Sequence, residues 1–367
     1  MEIKLNKLKG KKIIYGITGS IAAVEAVKIA RELRRHGAEI IPVMSKEAEK
    51  IIHPYAIEFA TGKKPILDIT GKVEHLIKAD LMLIAPCTAN TISKIANGIA
   101  DNAITTFALS NKKILIALSM AASMYENEFF KENIEICKRR GIKFIEPKME
   151  EGKAKMADIE VIIHRVIREI RQSIDKKVLI IGGSTMEPID DVRAITNFSS
   201  GKMAVAIAKE AYERCKDVET WFGNIDCIPY IKCKKFSKIE DLIKLIKKSK
   251  KYDVIINCAA ISDFVLDSIK GKIPSGKEIN LKLKPAPRIN NMLRNLTDIL
   301  IIFKLDEEKN LLEKARKRLE ADKADYVIAN TIESIGKDET KIWIIGKEIK
   351  KFEGKKEEIA KHVIDLI

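Results

Sequence analysis

The sequence predicts two consecutive α/β domains, each a doubly wound parallel sheet, and three observations carry that prediction. Short apolar runs ending in small-residue turns alternate with stretches of helical spacing. The alternation restarts once, after a polar, charged stretch at 164–177. The chain has 367 residues, 46% of them apolar, enough for two cores of ordinary size.

In order, KKIIYGITGS (11–20) reads as a strand and a Gly/Ser turn, and IAAVEAVKIARELRRHG as a helix stopped at Gly37. AEIIPVMS (38–45), ADLMLIAPCT (79–88), KKILIALSM (112–120) and IKFIEPK (142–148) continue the strand series with helix-like stretches between. The second series opens at VLIIGGSTMEPID (178–190), and a helix follows from about Lys202 to Cys215. It continues through VETWFG, YDVIINCAA (252–260), LTDILIIFKL (296–305), the helix EEKNLLEKARKRLEADK and ADYVIAN (324–330). Apolar strands alternating with helices argue for a sheet covered on both faces. The domain boundary falls between 172 and 173.

Lys plus Arg number 67 against 52 Asp plus Glu, a formal charge of +15, which favours anionic ligands. The first residues, MEIKLNKLKGKK, lack an apolar segment and no run of about 18 apolar residues occurs. Neither secretion nor membrane insertion is therefore expected, and the location predicted is cytoplasmic. Cys87, Cys137, Cys215, Cys227, Cys233 and Cys258 form no C-x-x-C, and the five histidines show no paired metal spacing. Reduced thiols and no structural zinc are the expectation. The Lys-rich stretch 232–251 reads as an amphipathic helix with a wet basic face, and it lacks the interleaved aromatics of a nucleic-acid surface.

In open parallel sheets, ligands bind beyond the carboxyl ends of the strands, where helix N-termini offer free N–H groups to anions. The candidate segments of the first domain are 16–21, Ser45, 86–91 and 119–125, all rich in glycine, hydroxyl and amide side chains. The glycine turn itself matches neither the dinucleotide fingerprint nor the phosphate-loop pattern.

ITGSIAA, VEH at 73–75, APCTANTISKIANGIADN and the SM…MY segment together resemble the flavin-containing cysteine decarboxylases. GGSTMEPIDDVRAITNFSSGKM, NCAAISDF, GKIP, IIFKLDEE and DYVIAN resemble phosphopantothenoylcysteine synthetase. The resemblance covers nearly the whole chain. It is that of the fused phosphopantothenate–cysteine ligase and phosphopantothenoylcysteine decarboxylase family of coenzyme A biosynthesis, and it implies a flavodoxin-like first domain and a Rossmann-like second one.

For residues 1–172 the resemblance implies FMN held between subunits of a trimer, its phosphate near Gly19, Ser20 and Ile21. Ser45, Thr88, Asn90, Thr91 and Met120 would surround the rest of the cofactor, and His75 would be the active-site histidine. Loss of CO2 from an unactivated cysteine carboxylate leaves an unstabilised carbanion, so in this family the flavin first oxidises the thiol-bearing carbon to a thioaldehyde that serves as electron sink. Two positions depart from the family. The Asn expected after Met120 to hold the substrate carboxylate is Ala121, which cannot donate a hydrogen bond. The segment 150–156, matching a flap that carries a proton-donating Cys, has none. Lys153, Lys155 or a water would have to serve, or this half binds FMN and decarboxylates poorly. The alternative reading is a ligase fused to a regulatory or inactive flavoprotein domain.

For residues 173–367 the resemblance implies activation of 4'-phosphopantothenate by CTP through an acyl-cytidylate, then displacement by cysteine. Ser199, Ser200, Gly201 and Lys202 would cradle phosphates, and Asn197 would serve conversion of the intermediate. Asp263 would meet the nucleotide or its Mg2+. Lys272 is matched to the catalytic lysine of a flexible strap, with Lys270 or Lys277 as alternatives. Pro287, Arg288, Ile289, Asn290 and Phe303 would border the nucleotide, with Arg318 and Lys323 as further basic positions. Dimers through this domain and trimers through the first are implied, with no specific nucleic-acid or membrane partner.

Overall fold

Along the strand Lys12–Ile17, side chains alternate between two apolar clusters. Tyr15 and Ile17 pack with Ile29 and Leu33 on one face, and Ile14 packs with Ile92 and Phe107 on the other. A strand apolar on both sides must be covered on both sides, and helices do so here. In the computed structural model, which describes residues 6–171, 173–276 and 278–367, the chain divides into units 1–172 and 173–367.

The first unit holds a five-stranded, all-parallel sheet in the order Glu39–Met44, Lys12–Ile17, Leu81–Cys87, Ile114–Leu118, Lys143–Ile145. The order turns back beside the first strand, so its carboxyl end borders a crevice suited to ligands. The expected first helix differs at its start. Residues Ile21–Glu25 form a 3-10 turn, because the Ser20 hydroxyl accepts from the Ala22 N–H, and the α-helix proper is Ala26–Arg35. Its Ala26, Ile29, Ala30 and Leu33 make the buried stripe, and truncating such a core residue as Ile29 to Ala would cost about 2–5 kcal/mol.

The main sheet of the second unit has eight strands. The first six, parallel, run Lys232–Lys235, Cys215–Phe222, Ile174–Gly182, Tyr252–Asn257, Thr297–Asp306, Tyr326–Thr331. In order of appearance this is 3-2-1-4-5-6, the dinucleotide-fold order. The expected α/β class holds in both units, with one addition: Glu339–Ile345 and Ile349–Lys355 extend the sheet as an antiparallel edge. Val178 and Ile180 face one cluster and Leu179 and Ile181 the other, the same two-sided burial as in the first unit.

Two expectations are corrected. The Lys-rich stretch is not one helix, since Lys232–Lys235 is an edge strand and only Ile239–Lys247 is helical. Not all thiols are reduced, because Cys227 and Cys233 form a disulfide with Cα atoms 5.9 Å apart. After Phe222 the chain loops out and re-enters the sheet parallel to the strand it left, and that return brings the two cysteines within bonding range. No helix among the described residues is long and apolar enough to cross a membrane.

Candidate functional site

In the first unit three sequence-predicted hydroxyls cap the helical turns that follow their own strands. Ser20 caps Ile21–Glu25, Ser45 accepts from the Ala48 N–H at 3.2 Å, and Thr88 accepts from the Thr91 N–H at 3.4 Å. Each strand therefore hands over to a helix start whose N–H groups face the sheet edge. Thr18 ties two strand ends together by donating to the Pro86 carbonyl at 2.9 Å and accepting from the Thr88 N–H at 3.0 Å. Ser20 and Ser119 join two more, their hydroxyl oxygens 2.9 Å apart. At Gly19 a Cβ would fall 2.3 Å from Cβ of Glu47, so only glycine permits this close approach of the two turns.

A cleft of about 830 Å³ opens here. It is lined by Ser20 to Ala22, Val24 and Glu25, by Ser119 to Ala121 and by the 153–159 segment. Ser20, Ile21 and Met120 thus meet as the sequence predicts, while Gly19, Ser45, Thr88, Asn90 and Thr91 are not among the lining residues. Ile21 is 78% exposed and Asn90 is exposed. His75 also lies outside the lining. It sits in the turn Glu74–Leu76, entered through Val73 at a φ of 51°, and its buried Nδ1 has no hydrogen-bond partner among the described residues.

The flap over the cleft is a small sheet. Met120–Ala121 pairs antiparallel with Lys153–Lys155, which pairs with Lys148–Glu150. Tyr125, at the end of the predicted motif, donates to Glu146 at 2.7 Å. Burial, reinforced by Glu146, pushes its hydroxyl up to about 12, so it stays protonated.

In the second unit the turn before the helix Lys202–Arg214 carries the predicted phosphate segment. Gly201 adopts φ 66°, and a Cβ there would meet Cγ2 of Ile225 at 2.4 Å. Residues 198–204 line a cleft of about 160 Å³ together with Cys258, Ala259, Ala260 and Phe303. Ser199 to Lys202 and Phe303 converge as predicted. Lining residues that sequence reasoning missed are Asn330, Ser334, Thr340 and Lys356; only the DYVIAN motif, which includes Asn330, pointed toward any of them.

Lys202 donates to the Gly336 carbonyl at 2.9 Å and pairs with Asp338 at 2.7 Å. Lys356 donates to the Ser334 carbonyl at 3.2 Å. Burial, and then the Lys202 charge, lower its pKa. Two ammonium groups in one recess suit a polyanion.

Asn197 is held beside this recess, donating to the Ala260 and Ile261 carbonyls at 3.3 and 3.1 Å. The Asp263 carboxylate is exposed, and its backbone carbonyl accepts from Ala286. Among the described residues no group of three or more His, Cys, Asp or Glu could hold a metal. One carboxylate suits only an Mg2+ that arrives on nucleotide phosphates and keeps most of its waters.

Lys272 rides on a loop closed by the pairing of Phe264–Val265 with Lys284–Pro285. The loop is expected to be free, but the structure pins it. Gly271 N–H donates to Asp191 at 2.9 Å, Ile273 N–H to Asp190 at 3.1 Å, and Arg193 to the Ile273 carbonyl at 2.6 Å. Burial opposes ionisation of Asp190, yet the N–H groups of Ile273 and Val192 and the Arg193 side chain hold its carboxyl well below the usual range. Lys272 itself is exposed; Lys270 is exposed on the same loop, and Lys277 lies outside the described residues.

The side chains of Ile289 and Asn290 are turned into the fold. Ile289 is buried in the core, and Asn290 accepts from Asn257 at 2.7 Å and donates to Asp322 at 2.7 Å. Pro287 and Arg288 stay exposed. Arg318 pairs with the buried Asp322 at 2.7 Å, which places it in this network and outside the 198–204 recess. Lys323 follows the helix end at φ 50°, exposed.

Comparison with known proteins agrees with the two-unit architecture. Residues 1–171 match the family model described as Flavoprotein. Residues 173–367 match the DNA/pantothenate metabolism flavoprotein C-terminal domain. A coenzyme A biosynthesis bifunctional protein CoaBC of Thermococcus kodakarensis is 46% identical over 95% of this chain and 92% of that protein. A protein of the same description from Methanocaldococcus jannaschii is 40% identical over 99% of this chain and 95% of its own length. Among solved structures, the DNA/pantothenate metabolism flavoprotein of Streptococcus pneumoniae is 26% identical, covering 52% of this chain and 97% of that one, with a TM-score of 0.47.

Proposed function

The chain belongs to the coenzyme A biosynthesis bifunctional CoaBC family, and from that premise we propose which unit does which step and with which residues. It is a bifunctional enzyme with ligase and decarboxylase activities. Residues 173–367 join cysteine to 4'-phosphopantothenate with CTP, and residues 1–172 decarboxylate the product with FMN. The observation that carries the assignment is the meeting of 198–204, Cys258 to Ala260 and Phe303 in one basic recess, which suits an activated nucleotide.

In the ligase unit, Ser199, Ser200 and Lys202 offer N–H groups at a helix start, and the Lys202 and Lys356 side chains add positive charge, so the phosphates of CTP bind there. The carboxylate of 4'-phosphopantothenate attacks the α-phosphorus and pyrophosphate departs. The amine of cysteine then displaces CMP from the acyl-cytidylate and loses a proton to solvent. Asn197, fixed by two carbonyls, orients the acyl group. Lys272, exposed on its loop and outside the 198–204 lining, would reach in to stabilise the charge that builds on the phosphate. Asp263 would meet the nucleotide's Mg2+, and the backbone of 287–290 would border the base.

In the flavin unit the residues fit FMN. Gly19 permits close approach, and the Ser20, Ser45 and Thr88 turns offer N–H groups to its phosphate and ribityl oxygens. Asn90, Thr91 and Met120 would complete the surround. FMN, when bound, supplies the two-electron oxidation and its reversal at the thiol-bearing carbon. The cleft positions the substrate. Ile21, Val24, Phe59 and Leu76 are large exposed apolar residues of this unit, which supports its assembly as a trimer. A neighbouring copy would then bring His75 to the cleft. Dimers through the ligase unit and a cytoplasmic location complete the proposal.

A second reading rests on Ala121: this unit binds FMN without turnover. Incubation of the purified chain with CTP, cysteine and 4'-phosphopantothenate, following pyrophosphate and CO2 separately, tests both. Pyrophosphate and CO2 in equal amounts are expected. Pyrophosphate alone establishes the second reading, and neither product overturns the assignment.

A further inference from the structure

Of the four charged residues that line the flavin-unit cleft, three are held in ion pairs. Glu25 pairs with Lys28 at 3.0 Å, and Asp158 pairs with Lys148. Lys155 is held by Glu151 at 2.8 Å and Glu150 at 3.4 Å. Lys153 is exposed and has no hydrogen bond or ion pair among the described residues. Lys153, whose charge also helps to lower the Glu151 carboxyl, is therefore the one lining cation with no direct partner among the described residues.

Its place is set by the flap. Ala121 and Lys153 are direct partners in the antiparallel pair, and directly opposed residues project from the same face with Cβ atoms about 4.5–5.5 Å apart. Both line the cleft. The Ala121 methyl leaves the space beside Lys153 open, and the flexible four-carbon stem of lysine carries its ammonium across such a gap. Ser20 and Ser119, also in the lining, keep their hydroxyls bonded to each other. Lys153 is the lining cation without a direct partner that borders this space.

We propose that Lys153 binds the carboxylate of the substrate's cysteinyl end, the role that a side-chain amide at position 121 would otherwise fill. The proposal rests on the decarboxylase assignment. It makes the Ala121 departure compatible with turnover, because a charge-assisted contact on the opposing strand replaces a neutral one on the first.

The test compares two ligands that differ by this carboxylate, 4'-phosphopantothenoylcysteine and 4'-phosphopantetheine. Each is mixed rapidly with the FMN-loaded full chain, and the flavin absorbance band reports binding before turnover. Retention of FMN by each variant shows that the unit is folded. Lys153→Ala and Lys153→Met, the latter keeping the stem and dropping the charge, are expected to weaken the carboxylate-bearing ligand about 10- to 100-fold and 4'-phosphopantetheine by less than about twofold. Equal weakening of both ligands would overturn the proposal, since the lysine would then serve the phosphate end or the flap. So would unchanged affinity in the Met variant. If the parent chain binds neither ligand, the decarboxylase assignment falls and this proposal with it, a failure read from the parent and not from the variants.

Discussion

The two units use one device, a strand end feeding a helix start, but complete it differently. In the first, Ser20, Ser45 and Thr88 each cap a turn within three residues of their own position. In the second, the 198–204 turn becomes a recess only when Cys258 to Ala260, Phe303, Asn330, Ser334, Thr340 and Lys356 arrive from elsewhere in the chain. The caps of the first unit are local, although the cleft beside Ser20 also draws on 119–121 and 153–159. A site assembled from distant segments is coupled to the stability of its whole unit.

The largest expected effect sharpens this contrast at the chemistry itself. Lys272→Ala is expected to slow pyrophosphate release about 10²- to 10³-fold, the scale of losing one charge-stabilising donor. CO2 release from supplied 4'-phosphopantothenoylcysteine should be unchanged. A parallel loss of both activities would break the separation between units.

Next in size, Gly201→Ala forces a Cβ into Ile225 at a left-handed backbone position. A destabilisation of about 1–3 kcal/mol is expected, seen as a lower melting transition of the second unit with flavin release from the first unmoved. An unchanged transition would mean that the recess tolerates local change after all.

The disulfide offers a comparable lever from a distance. It closes a short loop between Cys227 and Cys233, residues six apart, for which chain entropy gives about 2 kcal/mol. Cys233→Ser, or reduction of the parent chain, should lower the same transition by that amount in denaturant unfolding and leave FMN affinity intact.

The smallest effect at neutral pH is confined to acid. Burial works against the Glu219 carboxylate, but Lys234 and the Trp221 N–H lower it from 4.5 to about 2. A lowered folded value means that stability is fully present above pH 4.5 and lost as pH falls toward 2. Acid unfolding of the second unit is expected across that window, with a shallower slope in Glu219→Gln. A slope unchanged by that substitution would assign the acid sensitivity elsewhere.

Much of the fold was legible. Apolar runs such as KKIIYGI and VLIIGG mark strands buried on both faces, and the helix stop read at Gly37 falls where the structure has a glycine at positive φ. Site residues were legible where they act locally, as with Ser20, Thr88 and the SSGK turn. They were not where partners come from afar. Nothing near Asn290 signals that both ends of its amide are taken by Asn257 and Asp322. Nothing near Lys272 signals that Asp190 and Asp191 pin its loop.

By itself the sequence determined most of the alternation of strands and helices, the small-residue turns at their junctions and the motif sets that mark two activities in one chain. These rest on periods of two and 3.6 residues and on hydrogen bonds spanning two to four positions, which short stretches of chain record. Tertiary structure alone decided that Cys227 meets Cys233, that Lys356 joins Lys202 and that Lys155 is paired while Lys153 is not. Those outcomes depend on strand register and on where the chain re-enters its sheet, and pairing across a sheet is settled by the packing of both faces together.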